Sequence, residues 1–324
     1  MSQKLNQKHS EWSDLITRTS DPSIELRILP TDLSAAGRPI MAPLVNFSVI
    51  NVNGDDVTAF LDSQLTSDIK NLPDKKLLRS GYCNPKGRLI ATPYVFRDRA
   101  DFNLLLPDNL ADEFLVRLSR YVLRAKVKIN RNDGDAVIGL MAKPEMMAIP
   151  EIDDIAGVQT MSLNSTQTIV VCPFTSLELL WLRLSATHST GEENLWRLES
   201  IRNGIVNINN ETKEQFLPQM ISLDKNDGVS FTKGCYPGQE IVARTKYLGS
   251  VKRKLCHVKS DALLDSGMAL LNSSGATCGL VCDAVPVRPD KRGHEGLAVI
   301  QSDHVKEKHL TSPDLSYVEV LKVM

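Results

Sequence analysis

The sequence changes character after Lys246, and this change limits the folds that the chain can adopt. Beyond that point, short apolar runs such as ATCGLVCDAV and LSYVEVLKV follow one another, separated by turn residues. This spacing is typical of a small all-β barrel or sandwich. Before Lys246, amphipathic helical patterns alternate with hairpins rather than with single parallel strands. The pattern therefore predicts an α+β fold with a separate all-β domain at its end.

Well-marked elements precede that last domain. The predicted elements are, in order, a strand over 45–54, a helix over 55–69, a hairpin over 81–98, a strand over 101–107, a helix over 108–125 and a helix over 192–203. The last of these ends before Gly204, where a left-handed C-cap is easily formed. The predicted domains are an irregular lead-in over 1–42, α+β domains over 43–145 and 146–245, and the all-β domain over 246–324.

The composition of the 324-residue chain is that of an ordinary globular protein, with a net charge of −1. The surface as a whole is therefore no cationic platform, and contact with nucleic acid would need a local basic patch. No stretch resembles a signal peptide or reaches the roughly 18 apolar residues of a membrane span. We therefore expect a cytoplasmic protein that does not contact a membrane and whose thiols stay reduced.

The cysteines are predicted to be free thiols, and they are Cys83, Cys172, Cys235, Cys256, Cys278 and Cys282. No Cys-x-x-Cys pair occurs among them. Cys278 and Cys282 are four residues apart on a predicted strand, a separation of about 13 Å that is too long for two ligands of one ion. The spacing therefore predicts no zinc or iron site.

A row of arginines marks the predicted helix over 108–125. Arg117, Arg120 and Arg124 follow one another at helical spacing, and a basic run continues after the helix without an acidic residue. Such a row is either a solvated helix face or a stripe that faces an anion such as RNA. The sequence leaves both interpretations open.

The stretch SFTKGCYPGQEIVARTKYLG places a cysteine in a charged loop rich in turn residues. Residues 236–239 favour a type II turn, with Pro237 at its second position and Gly238 at its third. A helix can begin directly after the turn, so Cys235 would lie near a helix N-terminus with Lys233 close by. Both features stabilise a thiolate. No histidine flanks the loop, so the pattern favours a reactive or ligating thiol over a Cys–His nucleophile; a small residue filling a crowded turn is the alternative.

The string KGCYPGQE, preceded by FLPQMISLDKNDGVSF, resembles the signature of the YgfZ family. These are folate-binding proteins related to the aminomethyltransferase, or T-protein, of the glycine cleavage system. The similarity continues more weakly over 43–324, through FLDSQLTSDI and the NPKGR hairpin. It implies three domains around a central channel for a tetrahydrofolate, with the C-terminal domain a β-barrel.

The resemblance also implies a function and its residues. Family members support modification of some tRNAs and the maintenance of certain iron–sulfur enzymes, through partner enzymes or cluster-assembly proteins. The family's signature cysteine corresponds to Cys235, with Lys233 beside it. The expected folate contacts are Phe47, Trp196, Glu199, Arg202, Gln239 and Arg244. Direct contact with tRNA is a further expectation.

Two departures from the relatives affect these expectations. The transferases carry an acidic residue on the strand after the hairpin, whereas strand 88–96 has only Ile90, Ala91 and Thr92 there. This absence argues against one-carbon transfer of the aminomethyltransferase type. Many relatives have a glutamate where this chain has Arg202, which can only donate hydrogen bonds. Glu199, three residues earlier on the same helix, is a candidate substitute for accepting bonds from the pterin.

Two further interpretations stay open. One is a folate-dependent enzyme with an unrecognised acceptor, in which Cys235 acts as a nucleophile or redox thiol. The other is an interaction module whose channel is vestigial. A lack of saturable tetrahydrofolate binding would favour the interaction module. Turnover of a folate that requires Cys235 would favour the enzyme.

Overall fold

The structure of the protein is a computed structural model. It describes Trp12, Asp14, Leu15, Leu33 and residues 37–249, 251–287, 293–307 and 310–324. These residues form two compact units: the first contains the described residues up to Ser48 together with Asn132–Glu199, and the second contains Val49–Arg131 and Ser200–Met324. The domain boundaries expected from the sequence stay predictions.

The strands are, in chain order, β1 (Ile40–Pro43), β2 (Phe47–Asn53), β3 (Leu78–Arg79), β4 (Tyr82–Cys83), β5 (Leu89–Ala91), β6 (Tyr94–Asp98), β7 (Asp101–Pro107), β8 (Lys128–Asn132), β9 (Asp135–Met141), β10 (Gln159–Ser162), β11 (Gln167–Pro173), β12 (Ser189–Thr190), β13 (Arg253–Ser260), β14 (Ala269–Leu271), β15 (Thr277–Pro286), β16 (His294–Gln301), β17 (Leu310–Thr311) and β18 (Tyr317–Val323). The α-helices are α1 (Val57–Gln64), α2 (Asp108–Ser119), α3 (Phe174–Ser185), α4 (Glu193–Arg202) and α5 (Gln239–Tyr247). The mixture of elements confirms the predicted α+β class.

The first unit is built on a five-stranded sheet in the order β10-β11-β9-β1-β12. Helix α3 covers it because Leu177, Leu180, Trp181 and Leu184 recur at helical spacing and are all buried. Strand β1 begins at Ile40, inside the segment that we expected to be irregular. Its apolar residues pair with β9 and lie in the core. Their burial stabilises a strand here, although the chain before them is polar.

The second unit contains the sheet β3-β6-β7-β2-β8 and the small β4-β5 hairpin. The predicted strand over 88–96 is divided in two, because β5 ends at Ala91 and β6 begins at Tyr94. Pro93 lies between them and has no N–H to donate to a ladder. Strand β5 pairs with β4, whereas β6 pairs with β3 and β7.

Helix α2 is shorter than expected. It ends at Ser119, and Leu123 has a left-handed φ of 40°. The chain beyond Ser119 forms turns, so the predicted helical row of Arg117, Arg120 and Arg124 is wrong. Local propensity favoured a longer helix, but the left-handed residue redirects the chain toward β8.

The C-terminal strands close into a six-stranded barrel in the order β13-β16-β15-β14-β17-β18. Strands β13 and β16 pair antiparallel along their whole length. The barrel core consists of small and branched apolar side chains such as Val258, Leu270, Val281 and Ile300. The barrel confirms the prediction of an all-β domain at the end of the chain, because alternate residues of each strand point into a single core.

Candidate functional site

The turn after Cys235 has the predicted type II geometry. Gly238 has φ 79° and ψ 5°, and the Gln239 N–H donates to the Tyr236 carbonyl oxygen at 3.1 Å. A Cβ at Gly238 would lie 2.5 Å from the Asn84 carbonyl oxygen, so a side chain at this position would collide with backbone. Helix α5 starts at Gln239, directly after the turn as predicted, and Glu240 lies in its first turn.

The β4-β5 hairpin turn packs directly against this type II turn. Gly87 has a φ of 70°, and a Cβ there would lie 3.2 Å from the Ile241 Cβ and 3.3 Å from the Gly238 carbonyl oxygen. Two motifs that are about 150 residues apart in the sequence are therefore a single structural unit. The glycines at 87 and 238 allow this close approach of two backbones.

Lys233 is an anchor buried below the loop. Its side chain is 2% exposed, and its ammonium donates to the carbonyl oxygens of Asp62, of Leu65 at 2.9 Å and of Ser67 at 2.7 Å. The Asp62 carboxylate lies 3.3 Å away. Burial lowers the pKa of Lys233, and Asp62 opposes that shift. These contacts support an anchoring role, and the expected effect of Lys233 on the thiol stays a prediction.

The loop presents Cys235 to solvent between two buried anchors. Tyr236 is buried on one side, with its ring 5.6 Å from the Lys233 ammonium, whereas Gly234 and Cys235 are both exposed. Upstream, the Ser230 N–H donates to the Thr66 carbonyl oxygen at 2.8 Å. Because buried contacts fix the loop, they also hold the exposed thiol in one position, where a partner or ligand can reach it.

The other cysteines have the opposite environment. All six are free thiols, as predicted, and every one except Cys235 is buried. Burial raises the pKa of Cys83 and Cys172 to about 12 and that of Cys256 to about 11, and it raises the pKa of Cys278 and Cys282 as well. Since the thiolate is the nucleophile, these five are poor reactants near neutral pH.

Iodoacetamide is therefore expected to modify Cys235 first, at least about tenfold faster than any other cysteine at neutral pH. Mass spectrometry of peptides from the folded protein measures all six rates in one sample, so Cys83 and Cys256 serve as internal controls. Equal rates for Cys235 and Cys256 would contradict the assignment of Cys235 as the accessible thiol.

Phe47 and Trp196, the expected aromatic contacts of folate, both lie in the first unit. Phe47 begins β2 and is buried. Trp196 is on α4 and is 1% exposed, and its six-membered ring lies against Gly139 of β9, where a Cβ would be 2.4 Å away. The glycine therefore leaves room for the ring on the sheet. Both side chains occupy core positions, and their contact with folate stays a prediction.

Glu193 is a candidate site residue that the sequence analysis missed. Its Oε2 accepts bonds from the Asn46 N–H at 3.2 Å and from the Asn46 side-chain amide at 3.0 Å, directly before Phe47. Its Oε1 is buried and accepts no bond of ordinary geometry from the described residues. Burial raises the pKa of Glu193 to about 7, although the bonds from Asn46 oppose this. The available signal was its position three residues before Trp196, on the same helix face.

The structure gives the other predicted folate residues separate surroundings. Glu199 accepts a bond from the Thr166 hydroxyl at 2.8 Å. Gln239 lies in the Cys235 loop, with its amide 3.5 Å from the Gly234 carbonyl oxygen, and Arg244 is exposed on α5. Contact of these three residues with folate stays a prediction.

Arg202 forms a two-pronged ion pair with Glu295 of the barrel strand β16. Its Nε and Nη2 donate to the two carboxylate oxygens at 3.0 and 2.9 Å, and His257 lies 2.9 Å from the same carboxylate. Burial opposes ionisation, but the bonds from His257 and Arg202 hold the pKa of Glu295 at about 2. Within the second unit, Arg202 thus links the last turn of α4 to the barrel.

The positions at which the resemblance to the transferases would require an acidic residue are buried. Ile90, Ala91 and Thr92 are all buried, and the Thr92 hydroxyl accepts a bond from the Ile208 N–H at 3.0 Å. A reacting amine would find neither a carboxylate nor an exposed side chain at these positions. The argument against aminomethyl transfer stays a prediction from the sequence.

Neither a metal-ligand cluster nor a membrane span occurs among the described residues. Across the part of the chain that the structure describes, no three His, Cys, Asp or Glu side chains gather in a group that could hold a metal ion. Within the same residues, every helix is too short or too polar to cross a bilayer.

Comparison with known proteins identifies the relatives of this chain. No family model matches it. The tRNA-modifying protein YgfZ of Edwardsiella ictaluri (strain 93-146) is 30% identical over 227 residues, which cover 66% of this chain and 69% of the relative. The tRNA-modifying protein YgfZ of Klebsiella pneumoniae (strain 342) is 28% identical over 236 residues, covering 68% of this chain and 72% of the relative.

Among solved structures, the glycine cleavage system aminomethyltransferase T from Bartonella henselae is similar with a TM-score of 0.62. The match covers 88% of this chain and 85% of the transferase at 12% identity, so it establishes a T-protein-like fold and nothing about activity. The sequence identity to the tRNA-modifying proteins, together with that fold and the pinned KGCYPGQE loop, shows that the chain belongs to the YgfZ family.

Proposed function

We propose that this protein supports the modification of some tRNAs in the cytoplasm, and the assembly or repair of the iron–sulfur enzymes involved, through the thiol of Cys235 and a bound tetrahydrofolate. The observation that carries the proposal is the contrast among the cysteines. Cys235 is exposed on a loop held by buried anchors, whereas the other five thiols are buried. The similarity to tRNA-modifying proteins supports the link to tRNA.

The first unit contains residues that fit a folate. Phe47 and Trp196 offer aromatic rings that can stack on a pterin or aminobenzoyl ring. Glu193 connects the two, because it is bonded to Asn46 and lies one helical turn from Trp196. Its second carboxylate oxygen is buried and accepts no bond of ordinary geometry from the described residues, and a pterin's amino group and ring N–H are donors that would satisfy it. A bound tetrahydrofolate would supply one-carbon chemistry.

In this proposal the protein binds folate and exposes the Cys235 thiol, and it does not transfer an aminomethyl unit. Ile90 and Thr92 replace the transferases' acidic region with buried side chains. Cys235 would meet an iron–sulfur tRNA-modifying enzyme or a cluster-assembly protein, since its thiol faces solvent and no histidine base adjoins it in the sequence.

Tetrahydrofolate is expected to bind the full-length protein, and Glu193→Gln is expected to weaken that binding by about tenfold or more. A hydrogen bond to a charged group contributes about 1.5–3 kcal/mol, and the amide keeps the shape of the side chain without its charge. Isothermal titration calorimetry measures the affinity, with Glu199→Gln on the same helix as the matched control.

Trp196→Ala should also weaken binding, but it removes a buried ring and can cost about 3–5 kcal/mol of stability. Circular dichroism must therefore establish that this variant is folded before its affinity is interpreted. A loss of affinity in Glu199→Gln but not in Glu193→Gln would show that Glu199, and not Glu193, contacts the pterin. Absence of saturable binding by the wild type would favour the interaction-module interpretation instead.

A further inference from the structure

A cleft of about 620 Å³ lies beside the hairpin turn, within the second unit. Four basic side chains line it, and they come from three separate places: Lys86 and Arg88 from the hairpin, Arg117 from α2 and Arg253 from the start of β13. Glu214 is the carboxylate in the lining. The local excess of positive charge contrasts with the net charge of −1 of the whole chain.

The walls of the cleft are held by backbone hydrogen bonds. The Glu214 N–H donates to the Leu89 carbonyl oxygen at 2.7 Å, and the Leu89 N–H donates to the Phe216 carbonyl oxygen at 2.8 Å. The Arg88 guanidinium donates to the Gln215 carbonyl oxygen. The segment 214–216 thus runs alongside β5, and the cationic side chains project from a preformed frame rather than from loose loops.

The carboxylate of Glu214 already has polar partners, whereas two of the basic side chains have no carboxylate partner among the described residues. Glu214 accepts a bond from the Asn84 amide at 3.2 Å and lies 3.9 Å from Arg117. Lys86 and Arg253 are both exposed, and the described part of the chain places no carboxylate within ion-pair distance of either. Their charges are therefore available to an anionic ligand.

The cationic surface continues past the end of α2. Tyr121 lies four residues after Arg117, in the turn that follows α2, where its N–H donates to the Leu118 carbonyl oxygen at 3.1 Å. Tyr121 is 43% exposed, and the neighbouring Arg120 is exposed too. An exposed aromatic ring next to guanidinium groups is the combination with which proteins hold unstacked bases and phosphates of RNA.

We propose that this cleft binds the phosphodiester backbone of RNA, so that the protein contacts tRNA directly. The proposal rests on the proposed function for its link to tRNA. Its physical basis is the positive charge of the cleft and the hydrogen-bonded backbone that forms its walls. Guanidinium groups match phosphate geometry and remain charged at all relevant pH values. A single short carboxylate tail, such as that of a folate, would need one or two cations in one place. The spread of cations over three elements, with an aromatic ring beyond them, fits a longer polyanion.

Fluorescence anisotropy with a labelled, unmodified tRNA transcript tests the proposal on the full-length protein. The variant Lys86→Gln/Arg253→Gln removes two exposed cleft cations without disturbing the bonds of Arg88 or Glu214. It is expected to weaken binding roughly tenfold or more at about 0.1 M salt, and to lower the slope of log K against log salt by about one unit for each phosphate that is no longer neutralised. The control Lys76→Gln/Lys306→Gln removes two exposed charges that do not line the cleft, and it should bind like the wild type.

Equal affinities and salt slopes for the wild type and the cleft variant would overturn the proposal, as would equal reductions of affinity in the cleft and control variants. A third result would also overturn it: if polyglutamate displaces tRNA from the wild type, and the cleft variant loses polyglutamate binding but keeps its affinity for tRNA, the cleft holds a carboxylate tail. Because the measurement involves neither Cys235 nor Glu193, failure here leaves the tests of the thiol and of folate unaffected.

Discussion

Cys235→Ser is expected to abolish the support of iron–sulfur-dependent tRNA modification in cells, while leaving folding and folate binding intact. The serine hydroxyl is nearly isosteric with the thiol but stays protonated at neutral pH, so the substitution separates shape from chemistry. Cys235 is exposed and contributes to no hydrophobic core cluster of the described residues, so its replacement should change stability by less than about 0.5 kcal/mol. The measurement is the level of modified tRNA in a deletion strain that expresses either form of the protein.

Cys256→Ser is the matched control for that experiment. Its thiol is buried in the barrel, so this substitution should reduce stability but leave the surface chemistry unchanged. The two variants together separate a lost functional group from a weakened fold. Full complementation by Cys235→Ser would show that the motif acts only as a turn, with the cysteine as a small residue that fills it.

Lys233→Met is expected to lower the free energy of unfolding by about 3 kcal/mol, the second large effect. The substitution leaves the Asp62 carboxylate buried without its closest cation, and removing one partner of a buried ion pair costs about 3–5 kcal/mol. The lower figure applies because Asp62 keeps the Ile69 N–H at 3.2 Å and Lys70 at 3.4 Å. The carbonyl oxygens of Leu65 and Ser67 also lose a donor. Urea unfolding followed by circular dichroism measures the change.

Lys70→Met is the control for the buried lysine, since it removes a cation that faces the same carboxylate from the surface. Its side chain is 60% exposed, so its removal should cost at most about 1 kcal/mol. The double variant Lys233→Met/Asp62→Asn should regain part of the stability, because it removes the unpaired charge. Unchanged stability of Lys233→Met together with slower alkylation of Cys235 would show that Lys233 acts on the thiol instead of anchoring the loop.

Much of the architecture followed from the sequence because it depends on neighbouring residues. The Pro-Gly pair at 237–238 has few alternatives to a type II turn, and the turn leaves Gln239 free to begin α5. The alternating apolar residues after Lys246 produced the barrel. The exposure of Cys235 was also predictable, since its neighbours in the chain are polar or form turns. Hydrophobic periodicity and turn chemistry act over a few residues, and a sequence displays them directly.

Only the tertiary structure decided the roles of residues whose partners lie far away in the chain. The effect of Lys233 on the nearby thiol stays a prediction, but only the structure shows that its ammonium bonds to a carbonyl oxygen 171 residues away. Glu193 was not among the expected site residues, because its place on the helix of Trp196 does not reveal its burial or its bond to Asn46, 147 residues distant. Arg202 was expected to contact folate, and only the structure shows its ion pair with Glu295; the folate contact stays a prediction. The charge and burial of a side chain depend on which elements pack around it, and a local pattern does not contain that information.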